Sequence, residues 1–276
     1  MEPIQSPVVT TQPPAGPDLS ALLAAAEARP FTGWDFSWLE ARMHTEPPWD
    51  YTAMVLGLAG RSPDLLDMGT GGGEWLRALP ATPDRTVALE AWPPNVSIAG
   101  TNLVPHHVPV VQDEGSLDNV DQIDAPPRGR LPFRSASLHL VVNRHEAFNA
   151  REVGRVLRAG GSFLTQQVDH GAFDDAYPLL DRDVPVRRSD SWLDLAIEQL
   201  QAAGLTVIGS DRGVERYRFD DVGAFAWYLQ SIPWSVPGFT IRGHRAQLGQ
   251  LHEEVCRGGS IQIRQPRFWV HATKPA

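Results

Sequence analysis

The chain has 276 residues, 42% of them hydrophobic and 21% charged, with a formal net charge of −9. That length suits one α/β domain with additions, and the acid surplus argues against a protein that wraps nucleic-acid phosphates. The single cysteine, Cys256, excludes an internal disulfide and a Cys-rich metal centre. With no apolar run of about 18 residues and no signal-peptide pattern, the expected setting is soluble and cytoplasmic.

Residues 1–17, "MEPIQSPVVTTQPPAGP", are Pro-rich and lack apolar periodicity, which predicts a mobile leader. Helices are then expected at "LSALLAAAEAR" capped by Asp18, at "DFSWLEARM" capped by Asp35, and at "DYTAMVLGLAG" capped by Asp50 and closed by Gly60. Residues 18–60 thus read as an N-terminal helical lid, and 61–276 as the main domain. From Asp64 onward the apolar runs "LLDM", "TVALEA", "VPVVQ", "LHLVVNRH" and "SFLTQQV" alternate with helical stretches near 73–79, 93–103 and 149–158. Such alternation predicts a mostly parallel sheet with helices on both faces.

The segment Asp113–Arg130 is too polar and too rich in Pro and Gly for a regular element, and reads as a surface insertion. Residues 170–189 read as an irregular connection. "SWLDLAIEQLQAAG" keeps one apolar face and is a helix that Gly204 ends. "LTVIGSDRG" is a sixth strand and "RFWVHATK" a last one. Between them, at about 213–260, lies a helical insertion built from "DVGAFAWYLQSI" and "RAQLGQLHEEVCRG".

The stretch "LLDMGTGGGEWL", Leu65 to Leu76, is a strand running into a glycine turn and a helix. The third glycine of a dinucleotide fingerprint falls on Glu74, and the loop lacks the lysine of a P-loop. Asp67, two residues before Gly69, would sit badly beside a pyrophosphate and well beside an ammonium. Glu90, at the end of the next strand, is placed to accept ribose hydroxyls. Together these favour S-adenosylmethionine over NAD.

The stretches "LLDMGTGGGEWL", "VALEAWPPNV", "LPFRSASLHLVVNRHEAF" and "REVGRVLRAGGSFLTQQV" resemble the successive motifs of class I S-adenosylmethionine-dependent methyltransferases, in the group that holds small-molecule, type 11-like methylases. The resemblance spans roughly 34–170, and "FWVHATK" resembles that fold's antiparallel seventh strand. It implies a Rossmann-like, seven-stranded, mostly parallel sheet. It also implies that Asp67, Gly69, Thr70 and Gly71 line the methionine portion. Glu90 would hold the ribose, Ala91, Trp92 or Asn95 would flank the adenine, and Asn143 and Arg144 would lie beneath the sulfonium. The polar insertion departs from the family pattern and leaves Asp113 and Glu114 as candidates for the adenine amine.

For the acceptor, His145 is the candidate general base, standing just past the fourth core strand, where open α/β sheets bind ligands. Glu146 would orient it or bind a cationic acceptor. Gln166 and Gln167 end the fifth core strand. Trp34, Trp49 and Tyr51 from the lid, with Trp227, Tyr228 and Trp234 from the insertion, are candidates for an aromatic pocket. No metal-ligand spacing is evident. The expected function is methylation of a small, aromatic or heterocyclic metabolite within secondary metabolism. An RNA-base methylase and a cofactor-retaining, non-methylating cyclase-like protein are the alternatives.

Overall fold

The computed structural model describes residues 17–123, 128–186 and 191–276, so nearly all of the expected leader lies outside the described residues. At its start, Asp18 caps α1 (Leu19–Ala28) by accepting the Ala21 N–H at 3.0 Å. Asp50 caps α2 (Tyr51–Ala59) through the Ala53 N–H at 2.9 Å. The helix expected from Asp35 does not form. Asp35 accepts the Ser37 N–H, but only a 3-10 turn, Ser37–Leu39, follows, and Ala41 then takes a positive φ of 56°. The chain leaves this turn as a strand, β1 (Met43–Glu46), because the open edge of a distant strand supplies the backbone partners it needs.

The core strands are β2 (Asp64–Met68), β3 (Arg85–Glu90), β4 (Val110–Gln112), β5 (Leu138–Arg144), β6 (Leu157–Val168), β7 (Thr206–Phe219) and β8 (Ile261–Thr273). They form an eight-stranded sheet with β1, in the order β1-β7-β8-β6-β5-β2-β3-β4. The five strands from β4 to β6 are parallel, while β8, β7 and β1 add antiparallel pairs. The seven-strand expectation is therefore short by one, the outermost β1.

Side chains alternate across this sheet and feed two separate cores. Leu66, Met68, Val141 and Phe163 pack under α5 (Ala150–Val156) and α7 (Trp192–Ala202). Leu65, Ala88, Leu140, Val142 and Leu164 face the other way, onto α2, α3 (Glu74–Arg77) and α4 (Pro93–Leu103).

A third core forms the cover. There α1, α6 (Ala176–Leu179), α8 (Val222–Ser231) and α9 (Arg245–Cys256) enclose Trp227, Phe219, Phe225 and Ile263. The helical insertion is shorter than the expected 213–260. β7 and β8 stay paired from Val214↔Pro266 to Phe219↔Ile261, and this continuous ladder postpones the helices to Val222. Arg42 clamps Asp221 with two bonds of 2.7 and 2.8 Å, tying the N-terminal segment to α8, whose N-terminus Asp221 also caps. None of the described helices is long and apolar enough to cross a membrane.

Candidate functional site

Strand order reverses at β2: the chain proceeds outward to β3 and β4, then crosses back to β5 on the other side of β2. The crevice above the C-terminal ends of β2 and β5 is where open α/β sheets take ligands. The five residues of β2 are all buried, so its polar Asp67, 3% exposed, is held in a rigid low-dielectric position at the crevice floor.

The turn after β2 departs from extended backbone at Gly69 (φ 75°) and Gly71 (φ 62°), conformations that side chains disfavour. Their bare faces are also spatially occupied. A Cβ on Gly69 would run into the side chain of Glu146, and one on Gly71 into Trp34. The turn is fastened to β3 by the Gly69 and Thr70 N–H groups, which donate to the Leu89 carbonyl at 3.1 and 2.9 Å. Glu90 holds it further: one carboxylate oxygen accepts the Gly71 N–H at 2.7 Å and the other the Trp92 N–H at 2.8 Å.

Acidic groups crowd this end of the crevice. Burial pushes the Asp67 carboxyl up to about 6, against the pull of the neighbouring Thr70 hydroxyl and the Arg144 charge. Burial raises Glu90 as well, opposed by its backbone donors, and Asp113 adds repulsion. Glu146 is driven up to about 7 by burial and by the charges of Glu90, Asp113 and Asp118. Among the described residues no cation forms an ion pair with Asp67, Glu90 or Glu146. Thr70 Oγ1, although close to Asp67, is buried without a partner at hydrogen-bonding geometry. An unpaired hydroxyl beside under-compensated carboxylates fits a ligand group that donates hydrogen bonds and carries positive charge.

The remaining expected cofactor residues are more dispersed. Trp92 stands 63% exposed at the N-terminus of α4, with Asn95 one turn in and Ala91 partly covered beside Gly115. Asp113 is half-buried and accepts the Gly115 N–H at 3.3 Å. Glu114 turns away to accept the Arg130 N–H at 2.9 Å, closing the polar insertion. Asn143 is fully buried. Its Oδ1 accepts from Thr165 and Gln167, so its side chain braces β5 against β6. The Asn143 carbonyl is met by the Tyr51 hydroxyl at 2.9 Å. Arg144 lies over the Trp75 ring at 5.0 Å.

On the β6 side of the crevice, His145 has φ 60°, unusual for a residue with a side chain, and its N–H donates to the Gln166 carbonyl at 2.8 Å. One side of its ring is reached by solvent, but the protein packed around the rest, and after it the charges of Arg267 and Arg144, hold it well below an ordinary imidazole. Gln166 joins it to the segment before α2: Trp49 Nε1 donates to Gln166 Oε1 at 2.6 Å, and Gln166 Nε2 lies 3.1 Å from His145 Nε2. Gln167 instead bonds the Glu146 carbonyl, which fixes the segment after β5.

The aromatic candidates divide. Trp34 and Trp234 are 40% and 66% exposed and meet edge to face, with centroids 6.0 Å apart. Trp227 and Tyr228 are buried in the cover, where Trp227 donates to the Arg29 carbonyl and Tyr228 stacks on Phe173. Trp49 and Tyr51 reach the sheet through the bonds described above.

A group that residue-type reasoning missed lies on β7 and β8. Arg267, 4% exposed, is held by Glu215 at 3.1 Å and by the Tyr217 hydroxyl at 2.6 Å. Next to them Gln265 is fully buried with both amide atoms unpaired. The alternation in "GVERYRF" was the available signal, since it continues a strand pattern past Gly213.

No family model matches the chain, and no curated protein matches it by sequence. Solved structures do share its fold. A candidate methyltransferase from Bacillus halodurans is 18% identical, with a TM-score of 0.52 over 82% of this chain and 99% of that one. The YcgJ protein of Bacillus subtilis is 17% identical, with a TM-score of 0.51 over 82% and 98%. A functionally unknown protein from Deinococcus radiodurans is 16% identical, with a TM-score of 0.50 over 83% and 90%.

Proposed function

We propose that the chain is an S-adenosylmethionine-dependent methyltransferase acting on a small, aromatic or heterocyclic metabolite. The observation that carries this reading is Asp67: a buried carboxylate, short of countercharge, at the switch point of the sheet and beside a glycine-rich turn. A pyrophosphate there would add like charge to Asp67, Glu90 and Glu146, whereas an aminoacyl ammonium relieves it.

In this reading Asp67 and the Thr70 hydroxyl take the ammonium end and Glu90 takes the ribose hydroxyls. Asp113, Trp92 and Asn95 border the base. When bound, the cofactor supplies a methyl group already activated by a sulfonium. The chain's own task is then alignment and exclusion of water, and orientation of this kind is worth about 7–11 kcal/mol of a barrier. Trp34 covers the turn at Gly71 and pairs with Trp234, so the N-terminal segment and the insertion together supply the cover. Glu146 and His145 occupy the side of the crevice that faces an acceptor.

Calorimetry with S-adenosylmethionine and with NAD tests the reading. S-adenosylmethionine is expected to bind, and Glu90→Ala to weaken it by at least tenfold in folded protein. Binding of NAD alone would refute the proposal. A metabolite screen that follows S-adenosylhomocysteine release identifies the acceptor, and labelled methyl transfer to total RNA in place of any metabolite would redirect the substrate class.

A further inference from the structure

The segment before α2 fixes the protonation pattern of His145. Trp49 Nε1 is a donor only, so the Gln166 atom 2.6 Å from it must be the carbonyl oxygen. That sets the amide orientation and leaves Gln166 Nε2, also a donor only, facing His145 Nε2 at 3.1 Å. A favourable contact then requires His145 Nε2 to be the lone-pair nitrogen. That contact calls for a neutral imidazole with its single proton on Nδ1. Among the described residues Nδ1 has no hydrogen-bond partner, and the ring is open to solvent.

The backbone reinforces the arrangement. His145 is held at φ 60° by its N–H bond to the Gln166 carbonyl, so the residue that fixes the tautomer also fixes the ring's position. The charged groups near the ring are the guanidiniums of Arg144 and Arg267, the second partly offset by Glu215. The imidazolium is disfavoured there.

We propose that His145 is a hydrogen-bond donor to the acceptor through Nδ1–H, and that the acceptor atom set against it is an anionic oxygen of a phenolate, enolate or carboxylate. This replaces the proton-accepting role that residue type alone suggests: the lone pair a base would use is engaged by Gln166. An anionic oxygen matches both the N–H donor and the two guanidiniums. The tautomer is a property of the folded chain, while its meaning for the acceptor rests on the methyltransferase reading.

Nitrogen-15 NMR of the full chain labelled at histidine, at neutral pH with and without S-adenosylhomocysteine, tests the assignment. The His145 signals are identified by their loss in His145→Gln. The wild type is expected to show a protonated Nδ1 and an unprotonated Nε2. In Gln166→Glu, which presents an acceptor to Nε2, the proton is expected to move to Nε2, and Trp49→Phe, which frees the amide to turn over, is expected to give a mixture. A protonated Nε2 or a doubly protonated ring in the wild type overturns the proposal, whatever the variants do. An acceptor from the metabolite screen that lacks an acidic hydroxyl or carboxyl overturns the substrate class. Absence of S-adenosylmethionine binding alongside the expected tautomer would refute the proposed function and leave the tautomer standing.

Discussion

Replacing Asp67 by Asn separates what the cofactor crevice costs the fold from what it provides. The folded chain holds the Asp67 proton at about 6, against 3.8 for the free side chain. Well below pH 3.8 both states are protonated and the difference is absent. As pH rises from 4 to 6 the unfolded chain releases its proton first, so stability falls. Above pH 6 the full penalty applies. At 1.36 kcal/mol for each pKa unit, the shift corresponds to about 3 kcal/mol. Asp67→Asn is therefore expected to be more stable than the wild type at pH 8 by up to about 3 kcal/mol. In a chain of this size that is roughly 6–12 °C in Tm. By pH 4 most of the advantage should be gone. Thermal melts across pH 4–8 measure it, and calorimetry with S-adenosylmethionine should show weakened binding in the same variant. An Asp67→Asn protein whose Tm at pH 8 equals or falls below that of the wild type would refute the claim that this carboxylate is held under electrostatic strain.

Gly69→Ala meets both the left-handed backbone, about 1–2 kcal/mol, and the Glu146 side chain. A chemical-denaturation series should find Gly69→Ala less stable, with part of the loss recovered by adding Glu146→Ala. Asp221→Ala removes the cap of α8 and two bonds to Arg42. A loss of about 2–4 kcal/mol is expected, together with faster proteolysis in the cover than in the parallel strands.

The parallel half of the sheet was legible because each of its strands carries a compact apolar run bounded by turn or helical signals. Local signals also singled out Asp67, Gly69, Gly71 and Glu90 as candidates, and the turn after β2 brings them together through the bond from the Gly71 N–H to Glu90. The eighth strand was not legible. "MHTE" has no inward-facing apolar set, three of its four residues being exposed, and only the distant edge of β7 makes it a strand. Proline at 266 and the charged residues of "GVERYRF" likewise concealed how far β7 and β8 run, and with them Arg267 and Tyr217. Tryptophan count gave no means of telling Trp227, buried against the Arg29 carbonyl, from Trp234, which stands in solvent. Position in a helix decides that, and composition does not. The histidine was found by its place after β5. Its hydrogen-bond sense depended on Trp49, 117 residues from Gln166, and no local pattern carries a contact of that range.

The cover also bears on how the protein is made. Trp227 on α8 bonds the carbonyl of Arg29, just past α1, across 198 residues. At synthesis rates of about 5–20 residues per second, α1 leaves the ribosome roughly 10–40 s before the helix that buries it. During that interval Leu23 and Ala26, both buried in the finished protein, remain open to solvent and to other chains, while the parallel strands assemble between them and their partner. The contact between α1 and α8 thus waits on chain made long after α1, and a chaperone that shields α1 through that interval is expected to raise the yield of native chain.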